Sequence, residues 1–198
     1  MLINVAKKPK IRGTDLTRRR FIMNGALAGL TLTLPEPIRA AVMANRPTDR
    51  AISLHNTHTQ ESLRAVYWAD GVYSQQAFQR ISHILRDHRS GEVKPIDRRL
   101  LDLLYAIEKA LGVSRTFHVI SGYRSPVTNA RLRERSKGIA KNSLHMYGKA
   151  IDIRLPDGDL RELRRAARAL GAGGVGYYPR SGFVHVDVGR VRYWEGRC

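Results

Sequence analysis

His145 and Asp152 stand seven positions apart in Ser143-x-His145-x-x-Gly148-x-Ala150-x-Asp152, and His185 follows in the later run Phe183-Val184-His185-Val186-Asp187. Two imidazoles and one carboxylate are the three N/O ligands of a catalytic zinc site, which leaves a fourth position for water. Zinc held in that way brings the pKa of its water to about 7 and polarises a carbonyl, so the pattern points to hydrolysis. Each histidine alone reads more readily as a hydrogen-bonded structural or surface residue. Asp152 is harder to dismiss, because a carboxylate inside an apolar strand needs a partner that compensates its lost hydration.

The surrounding alternation predicts the elements that carry these side chains. In residues 149–154 a period of two sets Ile151 and Ile153 on one face and Ala150, Asp152 and Arg154 on the other. The second run sets Val184, Val186 and Val188 against Phe183, His185 and Asp187. Two neighbouring strands of one sheet then bring Asp152 and His185 together. His145 reaches in from the loop before the first strand, where Gly148 permits a tight approach and Ala150 leaves room beside an ion.

Four motifs in order, Ser121-Gly122-Tyr123-Arg124-Ser125, the Ser143-to-Asp152 motif, Gly173-Gly174-Val175-Gly176-Tyr177-Tyr178-Pro179 and Phe183-Val184-His185-Val186-Asp187, resemble the zinc D-Ala-D-Ala peptidase superfamily. The resemblance is closest to its murein endopeptidase K branch and covers roughly residues 51–194. It implies that His145, Asp152 and His185 bind Zn2+, that the enzyme cuts peptide crosslinks of peptidoglycan, and that Arg124 stabilises charge in the reaction. The residues themselves agree on Arg124: a guanidinium projecting from a strand-to-helix turn can grip a substrate carboxylate or a tetrahedral oxyanion.

The general base is less plain. Many relatives place a glutamate or histidine three or two residues before the final ligand, where this chain has Gly182 and Phe183. Asp187, two along from His185 on the same strand face, is the nearest ionisable candidate, about 7 Å away by strand rise. A carboxylate that merely orients a ligand is the competing reading of Asp187. Ser143 is placed to orient the second nitrogen of His145; Tyr123 is expected near the cleft, and Tyr177 and Tyr178 in its wall or in the core.

Outside these motifs the chain reads as one modest domain. Residues 51–55 and 62–68 look like two strands joined by a hairpin. Ser74 caps a helix over 75–87, Asp97 a second with Leu100, Leu101, Leu104 and Ile107 in its apolar stripe, and Asp159 a third over 160–170. Ser125-Pro126 opens another helix, dense in arginine at Arg131, Arg133 and Arg135, which reads as a solvated face. His55, His58, His83 and His88 lack a carboxylate in a ligand motif and read as surface or structural residues; His118 is an outside candidate for supporting a ligand. Gly171-x-Gly173-x-x-Gly176 spells a dinucleotide fingerprint but follows a helix and opens a strand, the reverse of what that motif requires. Its glycines read as turns leading into a strand at 175–178.

The expected architecture is α+β, a small and mostly antiparallel sheet carrying the zinc site with helices packed on one side. With 198 residues and 42% hydrophobic content the chain can bury a core. Its single cysteine, Cys198, permits no intramolecular disulfide. Thr17-Arg18-Arg19-Arg20-Phe21-Ile22-Met23 resembles a twin-arginine export signal, followed by an apolar stretch too short for the ~20 residues of a membrane span. Residues 1–44 are therefore expected to be the signal peptide, 45–50 a linker and 51–198 the peptidase domain, delivered to the periplasm by the twin-arginine machinery. The first 44 residues hold eight Lys+Arg and two Asp+Glu, which leaves 27 basic and 15 acidic side chains in the remainder, about +12. Export makes peptidoglycan stem peptides and anionic lipid headgroups the available polyanions and demotes nucleic acid, which is a third reading only for a protein that is not exported. A D-Ala-D-Ala carboxypeptidase, or a noncatalytic basic cell-wall module with a structural zinc, are the alternatives.

Overall fold

The computed structural model describes residues 49–112, 115–136, 138–156 and 159–196, all within one compact unit, Pro47–Cys198. The expected signal peptide at 1–44, most of the expected linker, and Cys198 lie outside the described residues.

Eight strands form one sheet: β1 (Arg50–Asn56), β2 (Ser62–Ala69), β3 (Val72–Tyr73), β4 (Phe117–Ser121), β5 (Ala150–Arg154), β6 (Gly174–Tyr178), β7 (Phe183–Asp187) and β8 (Arg192–Glu195), in the order β3-β2-β1-β4-β5-β7-β6-β8. The sheet is mixed. Five pairings are antiparallel, as expected, but β1 runs parallel to β4 and β6 parallel to β8. The first parallel pair follows from the long helical crossover between β1–β3 and β4. The second arises because β8 returns past β7 to lie on the far side of β6. The two strands that the alternation does not predict are β3, only two residues long, and β8.

Among the described residues, four helices accompany the sheet: α1 (Gln75–Ile84), α2 (Arg98–Ala110), α3 (Pro126–Arg135) and α4 (Leu160–Ala169). Each begins at the predicted cap. The side chains of Ser74, Asp97, Ser125 and Asp159 accept from the first-turn N–H groups of Ala77, Arg99, Thr128 and Arg161, groups that have no partner within the helix. Helix α1 packs on β2, α2 on β1, and α4 on β6 and β7. Between them and the sheet lie Ile81, Leu100, Leu101, Leu104, Ile107 and Leu163, all fully buried, against Ile151, Ile153, Val184 and Val186. The alternation in β5 and β7 thus commits one face to this core and leaves Asp152 and His185 on the other. Helix α3, whose Leu132 lines the cleft, stands on the site side.

Candidate metal centre and its cleft

Asp152 and His185 are direct partners across the antiparallel pair β5/β7. His145 comes from a single 3-10 turn, Leu144–Tyr147, closed by Gly148 at φ 63°. A side chain at Gly148 would be strained by that φ and would meet the Pro95 carbonyl oxygen at 2.5 Å, so the turn depends on glycine. The backbone of the turn is tied to the neighbouring loop, because Arg124 N–H donates to His145 O at 3.2 Å.

The three side chains converge. His185 Nδ1 lies 2.8 Å from Asp152 Oδ1, His145 Nε2 lies 3.3 Å from the same oxygen, and the two ring nitrogens are 3.2 Å apart. The outward ring nitrogens are both occupied: His145 Nδ1–H donates to Gly122 O at 2.7 Å and His185 Nε2–H to Asp187 Oδ2 at 3.0 Å. With those tautomers fixed, two imidazole lone pairs and a carboxylate oxygen face one another, and a cation at their centre satisfies all three. Ligand atoms at ~2.0–2.1 Å around a tetrahedral ion stand roughly 3.3 Å apart, close to the spacing found. Among the described residues, this is the one cluster of His, Cys, Asp and Glu side chains that can hold a metal ion.

Burial and the contacts within the cluster set the charge of the three groups. Burial works to raise the Asp152 pKa, but the facing charges and hydrogen bonds of His145 and His185 outweigh it and hold the carboxyl well below the usual range. Burial pushes His145 down and favours its neutral form, even beside Asp152. For His185, burial also favours the neutral ring, yet hydrogen bonds to Asp152 and Asp187 prevail and its pKa is raised.

Arg124 leaves the turn between β4 and α3 and is 8% exposed. Its contacts are long: Nη2 is 3.8 Å from Asp152 Oδ2 and 3.3 Å from Ser121 Oγ, and Nη1 is 3.4 Å from Asn129 Oδ1. Its Nε, although buried, has no hydrogen-bond partner among the described residues. Burial, opposed by Asp152, lowers its pKa. The guanidinium thus lines the cleft, buried, held by long contacts and with one donor that has no partner among the described residues.

Asp187 is placed differently. Its carboxylate is fully buried, does not line the cleft, and accepts five hydrogen bonds. The donors are His185 Nε2–H, Gly174 N–H at 3.1 Å, Gly189 N–H at 2.8 Å, and Arg192 through Nη1 at 3.1 Å and Nη2 at 2.7 Å. Burial raises its pKa, but His185 and Arg192 bring it well below the usual carboxylate range.

The cleft, about 570 Å³, is lined by Arg124 and His58 and by the aromatic rings of Tyr178, Phe183 and Trp194. Tyr178 stacks on Phe183 at 4.5 Å and accepts Trp194 Nε1–H at 2.9 Å. Tyr178 is thus cleft wall, whereas Tyr177 is buried under the Arg164 guanidinium. Ser143 lines the cleft but does not orient His145, whose second nitrogen is held by a backbone carbonyl instead. Tyr123 is turned away: its hydroxyl donates to Glu92 Oε2, and burial with that carboxylate pushes its pKa up to about 12. His58 is not simply a surface residue. It stacks on His88 at 3.8 Å, and its Nε2 contacts Ile120 O at 3.1 Å. His118 lies against His55 at 4.8 Å and outside the ligand cluster.

The residues that the sequence reading passes over are Arg192 and Trp194 on β8. Gly174 pairs with Arg192 and Gly176 with both His185 and Trp194. Both glycines belong to the strand, Gly174 as its first residue, and are not turns. A Cβ on Gly176 would sit 2.5 Å from the Trp194 ring, and one on Gly174 would sit 2.4 Å from both Arg192 Nη1 and Asp187 Oδ2. Bare β6 therefore lets side chains of β8 cross it to reach β7. The detectable signal is the match of Gly174-x-Gly176 to Arg192-x-Trp194, two alternations in step.

Comparison with known proteins agrees with this geometry. The profile of the family described as peptidoglycan L,D-endopeptidase MepK matches residues 44–194. The protein of that name from Escherichia coli (strain K12) is 42% identical over 180 residues, covering 91% of this chain and 98% of the relative; the one from Shigella flexneri gives the same figures. A probable peptidoglycan L,D-endopeptidase MepK from Haemophilus influenzae is 37% identical over 183 residues, covering 92% and 97%. From the ligand cluster, the arginine turn and a match that runs through both, the chain belongs to the MepK family of peptidases.

Proposed function

We propose that this chain is a zinc-dependent murein endopeptidase that hydrolyses L,D-configured peptide crosslinks of peptidoglycan. The observation that carries the reading is the convergence of His145 Nε2, His185 Nδ1 and Asp152 Oδ1, with both outward ring nitrogens already committed as donors. The bond class comes from the names of the relatives. Bound zinc would supply Lewis-acid polarisation of the scissile carbonyl and a water ionised near neutral pH.

The chain's own groups divide the remaining work. Arg124, desolvated and with an unsatisfied Nε, receives the negative charge that develops on the carbonyl oxygen as water adds to the scissile carbonyl, before the C–N bond breaks. Asp187 holds the His185 ring; buried, outside the cleft wall and matched to Arg192, it is assigned orientation and not proton transfer. Tyr178, Phe183 and Trp194 exclude water from one side of the peptide. Export through the twin-arginine route, supported by Arg18 and Arg19 ahead of an apolar stretch, delivers the enzyme to the periplasmic wall. Cells carrying Arg18→Lys with Arg19→Lys are expected to retain the protein in the cytoplasmic fraction.

The test of function is digestion of purified L,D-crosslinked muropeptide dimers, read by product mass. The wild type converts dimers to monomers, and a chelator or His185→Ala abolishes conversion. Loss of only a terminal D-Ala would establish the carboxypeptidase alternative, and sedimentation with cell wall without any turnover would establish a binding module.

A further inference from the structure

Arg192 crosses the glycine gap in β6 and meets Asp187 with both guanidinium nitrogens, at 2.7 Å to Oδ2 and 3.1 Å to Oδ1. Asp187 Oδ2 is the same oxygen that accepts His185 Nε2–H at 3.0 Å. An uninterrupted line of charge-assisted hydrogen bonds therefore runs from β8 through β7 to the ligand cluster. Arg192 is itself held, since its guanidinium lies 5.0 Å from the Trp194 ring and Nη1 also donates to Arg190 O. The Trp194 ring in turn lies 5.2 Å from the His185 ring.

We propose that Arg192 is a positioning residue for the metal ligand His185 and acts through Asp187; this rests on the reading of the cluster as a zinc site. Two physical arguments support it. A carboxylate with no solvent exposure is costly to bury alone, and a planar fork that bonds both oxygens compensates it better than a point charge can. The same fork prevents the carboxylate from rotating, so Oδ2 stays a fixed acceptor for His185 Nε2–H and Nδ1 remains the lone-pair atom aimed at Asp152 and His145. Arg192 and Asp187 together add no net charge beside the cluster, so the ring is oriented without a second anion competing for the cation. Gly174, where a side chain would strike both partners, is what makes the contact possible.

The experiment measures the zinc dissociation constant by competition with a chromophoric chelator for the wild type, Arg192→Ala, Arg192→Lys, Asp187→Asn and the Arg192→Ala/Asp187→Asn double variant, each checked for fold by circular dichroism. Loss of a group that orients a metal ligand typically weakens binding ~10–100-fold. Arg192→Ala is expected to fall in that range and Arg192→Lys to recover part of the loss. In the Asp187→Asn background, Arg192→Ala is expected to change affinity by less than about twofold, because its route to His185 has already been cut. At saturating zinc, KM for the crosslinked muropeptide should stay at the wild-type value. Wild-type zinc affinity in Arg192→Ala, fully additive losses in the double variant, or a raised KM with unchanged affinity would each overturn the assignment. If Arg192→Ala does not fold, Arg192→Lys alone decides, since unaltered affinity there refutes the need for a fork. A wild type that binds no zinc sinks the underlying metal-site reading as well.

Discussion

Ligand atoms of Asp152, His145 and His185 face one another within 3.3 Å, and that arrangement makes the cluster able to hold a cation. Arg124 has the opposite character, a buried donor whose Nε has no hydrogen-bond partner among the described residues. Removing one donor of this kind from a hydrolytic site typically costs ~10²–10³ in kcat. Arg124→Ala is accordingly expected to lower kcat on L,D-crosslinked dimers by about that factor while its zinc affinity stays at the wild-type level; unchanged kcat would remove Arg124 from the reaction. At this scale the sequence was highly legible where residue type dictates chemistry. His145, Asp152 and His185 are recognisable because few other reasons place a carboxylate in an apolar strand beside a paired histidine. Asp187 stood between two readings, base or orienting carboxylate, since strand rise gives its distance along β7 but not the arginine that reaches it from another strand. The two side chains lean together to a 3.0 Å contact, well inside the spacing expected from the backbone alone.

The elements that position the site divide into a legible half and a hidden half. Helices α1, α2 and α4 and strands β5 and β7 have apolar periods that match their geometry, and their caps mark their starts to the residue. Strand β8, with Arg192, Tyr193, Trp194 and Glu195, has no apolar alternation to betray it and is recruited by tertiary pairing with β6. The glycines of β6 were visible but not their purpose, which is to clear a path for another strand's side chains. Gly176→Val tests that purpose. Its Cβ would occupy the place of the Trp194 indole, so the variant is expected to lose roughly 1–3 kcal/mol of stability, as overpacked sites do. Its urea midpoint should fall with m unchanged. A variant as stable as the wild type would mean that the indole has room to move and that β8 is not locked over β6.

For the whole molecule, the mixed sheet separates two tasks by face: Ile151, Ile153, Val184 and Val186 anchor the helices, while Asp152 and His185 on the same strands look into the cleft. The parallel pairings were beyond reach of local sequence, because they depend on where distant strands return. Among the described residues no helix is long and apolar enough to cross a membrane. The basic balance of residues 45–198, about +12, suits a polyanionic wall polymer as substrate. The account as a whole stands on a metal ion at the meeting point of three side chains. Anomalous diffraction from crystals of the zinc-loaded protein, recorded on either side of the zinc edge, measures it directly. The prediction is one strong peak within ~2.0–2.2 Å of His145 Nε2, His185 Nδ1 and an Asp152 carboxylate oxygen. A peak bound elsewhere, or an empty cluster in protein that still cleaves crosslinked dimers, would contradict it.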